Sequence, residues 1–78
     1  MGNTRTPETI TDHHIIPASR YGQGKRNIKR VPNAYHEAYH HIFANLTPAE
    51  IYDYLDEVWF NSSTSFISPE LWLSRRET

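Results

Sequence analysis

The sequence predicts a small α+β domain dominated by helix. Three observations carry that expectation. β-branched residues gather at positions 9–16 and 28–31, each run closed by a proline. Apolar residues then recur at three- and four-residue spacing from Tyr35 to Leu46. A complete helix-start signal follows at Thr47-Pro48-Ala49-Glu50.

The elements are read in chain order. Residues 1–8 carry no periodic apolar pattern and are expected to form a loose leader. Thr9, Ile10, Thr11, Ile15 and Ile16 favour an extended strand over 9–16, which Pro17 ends. Residues 19–27 contain two glycines and several basic side chains, the pattern of a long exposed loop. A short second strand at 28–31 runs to Pro32. Asn33 is a candidate N-cap for a helix over about 34–44, with Tyr35, Ala38, Tyr39, Ile42, Phe43 and Leu46 as its apolar face. From Thr47 a second helix reaches about Phe60, burying Ile51, Leu55, Val58 and either Tyr54 or Trp59. A polar connector leads to Ser68-Pro69-Glu70, where a last helical turn or two docks through Leu71 and Trp72. The whole is one domain: leader 1–8, strand–strand–helix unit 9–44 and helical extension 45–78.

A chain of 78 residues buries only a modest core, and small domains of this kind often use a metal as a staple. Ten aromatic residues argue against disorder. No apolar run approaches the roughly 20 residues of a membrane-spanning helix, so no membrane partner is expected. With no Cys, a disulfide framework and thiolate-ligated zinc are both excluded. Any metal site must use His and carboxylates, and a reducing cytoplasm suits the composition. A net charge of −1 gives no global attraction to a polyanion. Its distribution is uneven, because Arg20, Lys25, Arg26, Lys29 and Arg30 are five of the eight basic residues. They form either a phosphate-binding patch or a solvated loop.

All five histidines lie in two clusters, Asp12-His13-His14 and His36-Glu37-Ala38-Tyr39-His40-His41. His36 and His40 are four apart, so on a helix they share a face and can chelate one ion. Alone, such a pair is as readily a solvated helix face. A second His pair at the end of a strand, some twenty residues earlier, adds a third imidazole. Three imidazoles fill three positions on a divalent ion and leave others open to water or phosphate.

His13-His14-Ile15-Ile16-Pro17, Asn27-Ile28 with Arg30-Val31, and His36 with His40 together resemble the HNH endonuclease motif. The spacing is similar to that of colicin-type nuclease domains. The Pro17-Ala18-Ser19-Arg20-Tyr21-Gly22 stretch looks like a further family segment. The resemblance covers residues 10–43 and implies a ββα-metal (His-Me finger) fold carrying one divalent ion, whether zinc, nickel, magnesium or manganese. It implies His14 as the general base that deprotonates water, and His13, His36 and His40 as metal ligands. It implies Asn27 as the residue that orients the base, and Arg20 as a contact near the scissile phosphate. Lys25, Arg26, Lys29 and Arg30 would hold further DNA phosphates.

Two points stay open in the sequence. The spacing to Pro17 favours His14 as base, but His13 could be the base with Asp12 as ligand. Asp12 could also orient a ligand ring. His41 points about 100° from His40 on a helix and is expected to be a bystander. The function implied is metal-dependent hydrolysis of DNA in the cytoplasm of a bacterial or phage-infected cell. The competing readings are an inactive HNH-like binding or inhibitory domain, and a metal-stabilised interaction module. The acidic residues Asp53, Asp56 and Glu57 of the extension are expected either to do the structural work of the family's absent zinc-binding Cys pairs or to bind a protein partner or a second copy (a homodimer contact) there.

Overall fold

The computed structural model describes residues 5–77, so the first half of the expected leader lies outside the described residues. Strand β1 (Ile10–His14) pairs antiparallel with β2 (Ile28–Pro32), and α1 (Asn33–Phe43) follows directly. The extension adds α2 (Pro48–Tyr54), continued by a π turn at Leu55–Trp59, and α3 (Pro69–Arg76). This is the helix-dominated α+β architecture expected, with a single two-stranded sheet among the described residues.

Strand alternation puts Thr11 and His13 on the buried face, and Asp12 and His14 on the exposed one. β1 stops at His14, short of the predicted Ile16, because Asn27 captures the next two residues. The Ile15 N–H donates to the Asn27 carbonyl at 2.8 Å. The Asn27 side chain then accepts from the Ile16 N–H at 2.8 Å and donates to the Ile16 carbonyl at 2.8 Å. Both polar ends of one buried amide replace the strand ladder.

Asn33 is the first residue of α1 rather than its cap, and its amide donates to Glu37. The leader does the capping instead. The Asn33 N–H donates to the Thr9 carbonyl at 2.7 Å, and the Ala34 N–H to the Pro7 carbonyl at 3.0 Å. Two orphan donors of the helix start are thereby satisfied. Residues 6–9 are therefore not loose. At Thr47 the predicted capping box forms on both sides, and Ser68 caps α3.

The apolar core sits in the extension. Leu46, Tyr54, Val58 and Trp72 are buried, with Phe43, Ile51, Ile67 and Leu73 packed against them. Tyr54 fills the inward position left open between it and Trp59, and its hydroxyl donates to the Ile67 carbonyl at 2.7 Å. Trp72 docks α3, but its inward partner is Leu73, while Leu71 faces solvent. Glu57 accepts the Trp72 indole N–H at 3.0 Å, and Arg76 pairs with Asp53 at 3.2 Å. Two of the acidic residues thus hold α3 in place. The apolar face expected on α1 is only partly correct. Tyr39, Phe43 and Leu46 point inward, whereas Tyr35, Ala38 and Ile42 are exposed. The inward side of α1 is shared with His36.

Candidate metal centre

Between the sheet and α1 the interior is polar. The described buried side chains there include Thr11, His13, Asn27 and Asn33, and none of the core hydrophobics. A small unit with such a centre gains little from apolar burial. His13 lies among His36, Tyr39 and His40, with ring centroids 5.2, 4.3 and 5.6 Å away. One ligand nitrogen from each of His13, His36 and His40 falls within 4.8 Å of the others. His13 is buried, His36 half-buried and His40 exposed, so the cluster opens toward solvent on the His40 side.

Two features fit a divalent ion in this cluster. The first is that His13 Nδ1 is buried without a hydrogen-bond partner among the described residues. A buried unpaired nitrogen costs about 1–3 kcal/mol and calls for a partner. An ion held among three imidazoles is one the donor set can accommodate. The second is Thr11. Its hydroxyl donates to the Val31 carbonyl at 3.1 Å and so accepts from His36 Nδ1–H at 2.7 Å. The His36 proton is thereby fixed on Nδ1, and the Nε2 lone pair is left to bind a metal.

Electrostatics point the same way. Burial first, then the His36 and His40 charges, pushes the His13 imidazole below its ordinary range. For His36 burial again leads, followed by His40, Arg5 and His14. Both rings are therefore held neutral near pH 7, the form that ligates. Burial also raises the Tyr39 phenol, which stays protonated.

His14 is not part of this cluster. It is the last residue of β1, exposed, and on the face opposite His13, yet its charge is felt at both His13 and His36. The Asn27 clamp begins at the very next residue, so Asn27 fixes the backbone beside His14 rather than touching its ring. Gly22 packs against this clamp. Its N–H donates to the Pro17 carbonyl, and a Cβ there would fall 1.8 Å from the Ile16 carbonyl oxygen and 2.6 Å from Asn27 Nδ2.

Several sequence expectations need correcting. Asp12 faces away from the three rings and lies 3.7 Å from Arg30 across the strand pair, so it neither ligates nor orients a ligand. Arg20 is committed elsewhere. Its guanidinium grips Glu50 with bonds of 2.8 and 2.7 Å and reaches the Asn45 carbonyl, tying the loop to α2. Glu50 had been legible only as half of a capping box, and the Arg20 hydrogen bond holds its carboxyl below the usual range. Lys25, Arg26, Lys29 and Arg30 remain exposed, and His41 is exposed as expected. Thr11 and Tyr39 were missed. The signal for Thr11 was present, since it stands two residues before His13 and so shares its strand face.

No family model, curated protein or solved structure matches this chain. Among the described residues no helix is long and apolar enough to cross a membrane.

Proposed function

We propose that this chain is a metal-dependent endonuclease of the HNH class that hydrolyses DNA phosphodiester bonds. The observation that carries the reading is the convergence of His13, His36 and His40 nitrogens within 4.8 Å, with one buried nitrogen unpartnered. A bound divalent ion would neutralise a phosphate oxygen and the departing 3′-oxygen. The chain's own residues supply the rest. Thr11 holds His36 in its ligating tautomer. The exposed His14 accepts the proton of the attacking water, as a general base does. Asn27 and Gly22 hold the backbone next to His14, so that the base keeps its place relative to the cluster.

A DNA substrate would place this work in the cytoplasm of a bacterial or phage-infected cell. One centre cuts one strand at a time, so cutting both needs a dimer or two visits. Exposed Trp59, Phe60 and Phe66 make the extension the natural place for a second copy.

Nicking of supercoiled plasmid under Zn²⁺, Ni²⁺, Mg²⁺ and Mn²⁺ tests the reading. The parent should nick with at least one of them, and His36→Ala with His40→Ala should not. A parent inert with every ion would transfer the reading to a binding or inhibitory domain.

A further inference from the structure

The centre is flanked by open grooves of opposite charge. The groove beside His40, about 730 Å³, is lined by Glu70 and Glu77 together with Asn45, Leu46 and Leu73. A polyanion is repelled there. The groove beside His36, about 600 Å³, is lined by Arg5 and Arg30, with Thr9, Thr11 and Asp12. A further groove of about 530 Å³ holds Lys25 and Ile28, and shares Asp12 and Arg30 with the one beside His36. These two run together along the strand pair. They form one path from His36 past Arg5 and Arg30 to Lys25, with three cations against one carboxylate.

We propose that this path is the track for one nucleic-acid strand leaving the metal centre, with Arg5, Arg30 and Lys25 each holding a phosphate. The proposal rests on the nuclease reading and adds to it which side of the centre the strand takes and which cations hold it. Arg5 is the new member. It lies outside the basic cluster visible in the sequence, yet its charge reaches His36. Arg20 drops out because Glu50 occupies it, and Arg26 lines neither groove. Asp12 is the opposing element. Its pair with Arg30 is long and exposed on both sides, so it holds Arg30 weakly and an arriving phosphate displaces it.

The test is fluorescence anisotropy of a labelled single-stranded DNA 20-mer, titrated with the full chain in chelator so that no cleavage intervenes. Each phosphate contact to a single strand contributes about 0.7 to the slope of log affinity against log salt. Three contacts weaken binding about 20-fold between 50 and 200 mM salt. Arg5→Ala, Arg30→Ala and Lys25→Ala should each lower the slope by about 0.7 and the affinity about fourfold at 0.15 M salt. Arg30→Lys should restore the slope, and Asp12→Asn should tighten binding. Arg26→Ala, which removes a like charge outside both grooves, sets the background. The track is overturned if the three variants bind like Arg26→Ala, or if the parent does not bind the strand. The nuclease reading is decided separately by plasmid nicking, so a chain that nicks but ignores these substitutions refutes only the track.

Discussion

Gly22→Ala places one methyl group against the clamp beside the proposed base. The new carbon would lie 1.8 Å from the Ile16 carbonyl oxygen and 2.6 Å from Asn27 Nδ2, where real contacts stay beyond 3.0 Å. The loop must open by more than an ångström. That stretches the 2.8 Å bonds between Asn27 and Ile16 past the range of an N–H···O hydrogen bond. Ile16 is exposed enough to bind water instead, but Asn27 is buried. Its unsatisfied amide costs about 1–3 kcal/mol, and the forced backbone shift about as much again. The total is about 3 kcal/mol, against a whole stability of roughly 4–12 kcal/mol for a chain of this length. For a domain this small, Tm should fall by about 12–24 °C. Thermal melts followed by circular dichroism, in chelator so that no metal contributes, measure it. Asn27→Ala should cost a similar amount, and the double variant should cost less than the two together because both break one clamp. A Gly22→Ala protein melting within about 3 °C of the parent, or strict additivity with Asn27→Ala, would refute this account of the loop.

The remaining predictions concern the ion, the histidines and the Arg20 tie. A divalent ion at a hundredfold excess over its Kd should stabilise the chain by about 2.7 kcal/mol, and His36→Ala with His40→Ala should erase that shift in parallel melts. Without metal, the lowered pKa values of His13 and His36 mean that the folded state resists protonation while the unfolded chain accepts it near 6.5. Their contribution is full above pH 6.5 and is lost as pH falls through the folded values. Urea midpoints in chelator should therefore drop between pH 7.5 and 5.5, and less so in His13→Gln with His36→Gln; equal drops would contradict the assignment. Arg20→Met should cost about 1–2 kcal/mol, since its two bonds to Glu50 are charge-assisted but partly exposed. An unchanged urea midpoint would mean that the tie between loop and α2 contributes nothing.

The parts of the fold legible in the sequence were those set by local chemistry. Thr47, Pro48 and Glu50 formed the expected helix start because a capping box needs only neighbouring residues. His36 and His40 were readable as a pair because helical spacing alone puts them on one face. What escaped was set by tertiary partners. Asn33 loses its capping role because carbonyls of Thr9 and Pro7, some 25 residues away, take the helix-start donors. Arg20 reads in the sequence as a phosphate contact, but Glu50, 30 residues on, takes both of its terminal guanidinium nitrogens. The apolar pattern of α1 misled for a related reason. Its inner side covers a polar cluster, so Tyr35 and Ile42 had no core to enter.

In the proposed centre, the rings that would hold the ion (His13, His36 and His40) are distinct from the proposed base, His14, and one measurement addresses that separation. Plasmid nicking and bound metal are measured together for the parent and His14→Ala, at the ion giving most activity. The account predicts that His14→Ala keeps one ion per chain while cleavage falls about 10²–10⁴-fold, the usual worth of general-base help. A His14→Ala protein that loses its ion, or that nicks as fast as the parent, would contradict it.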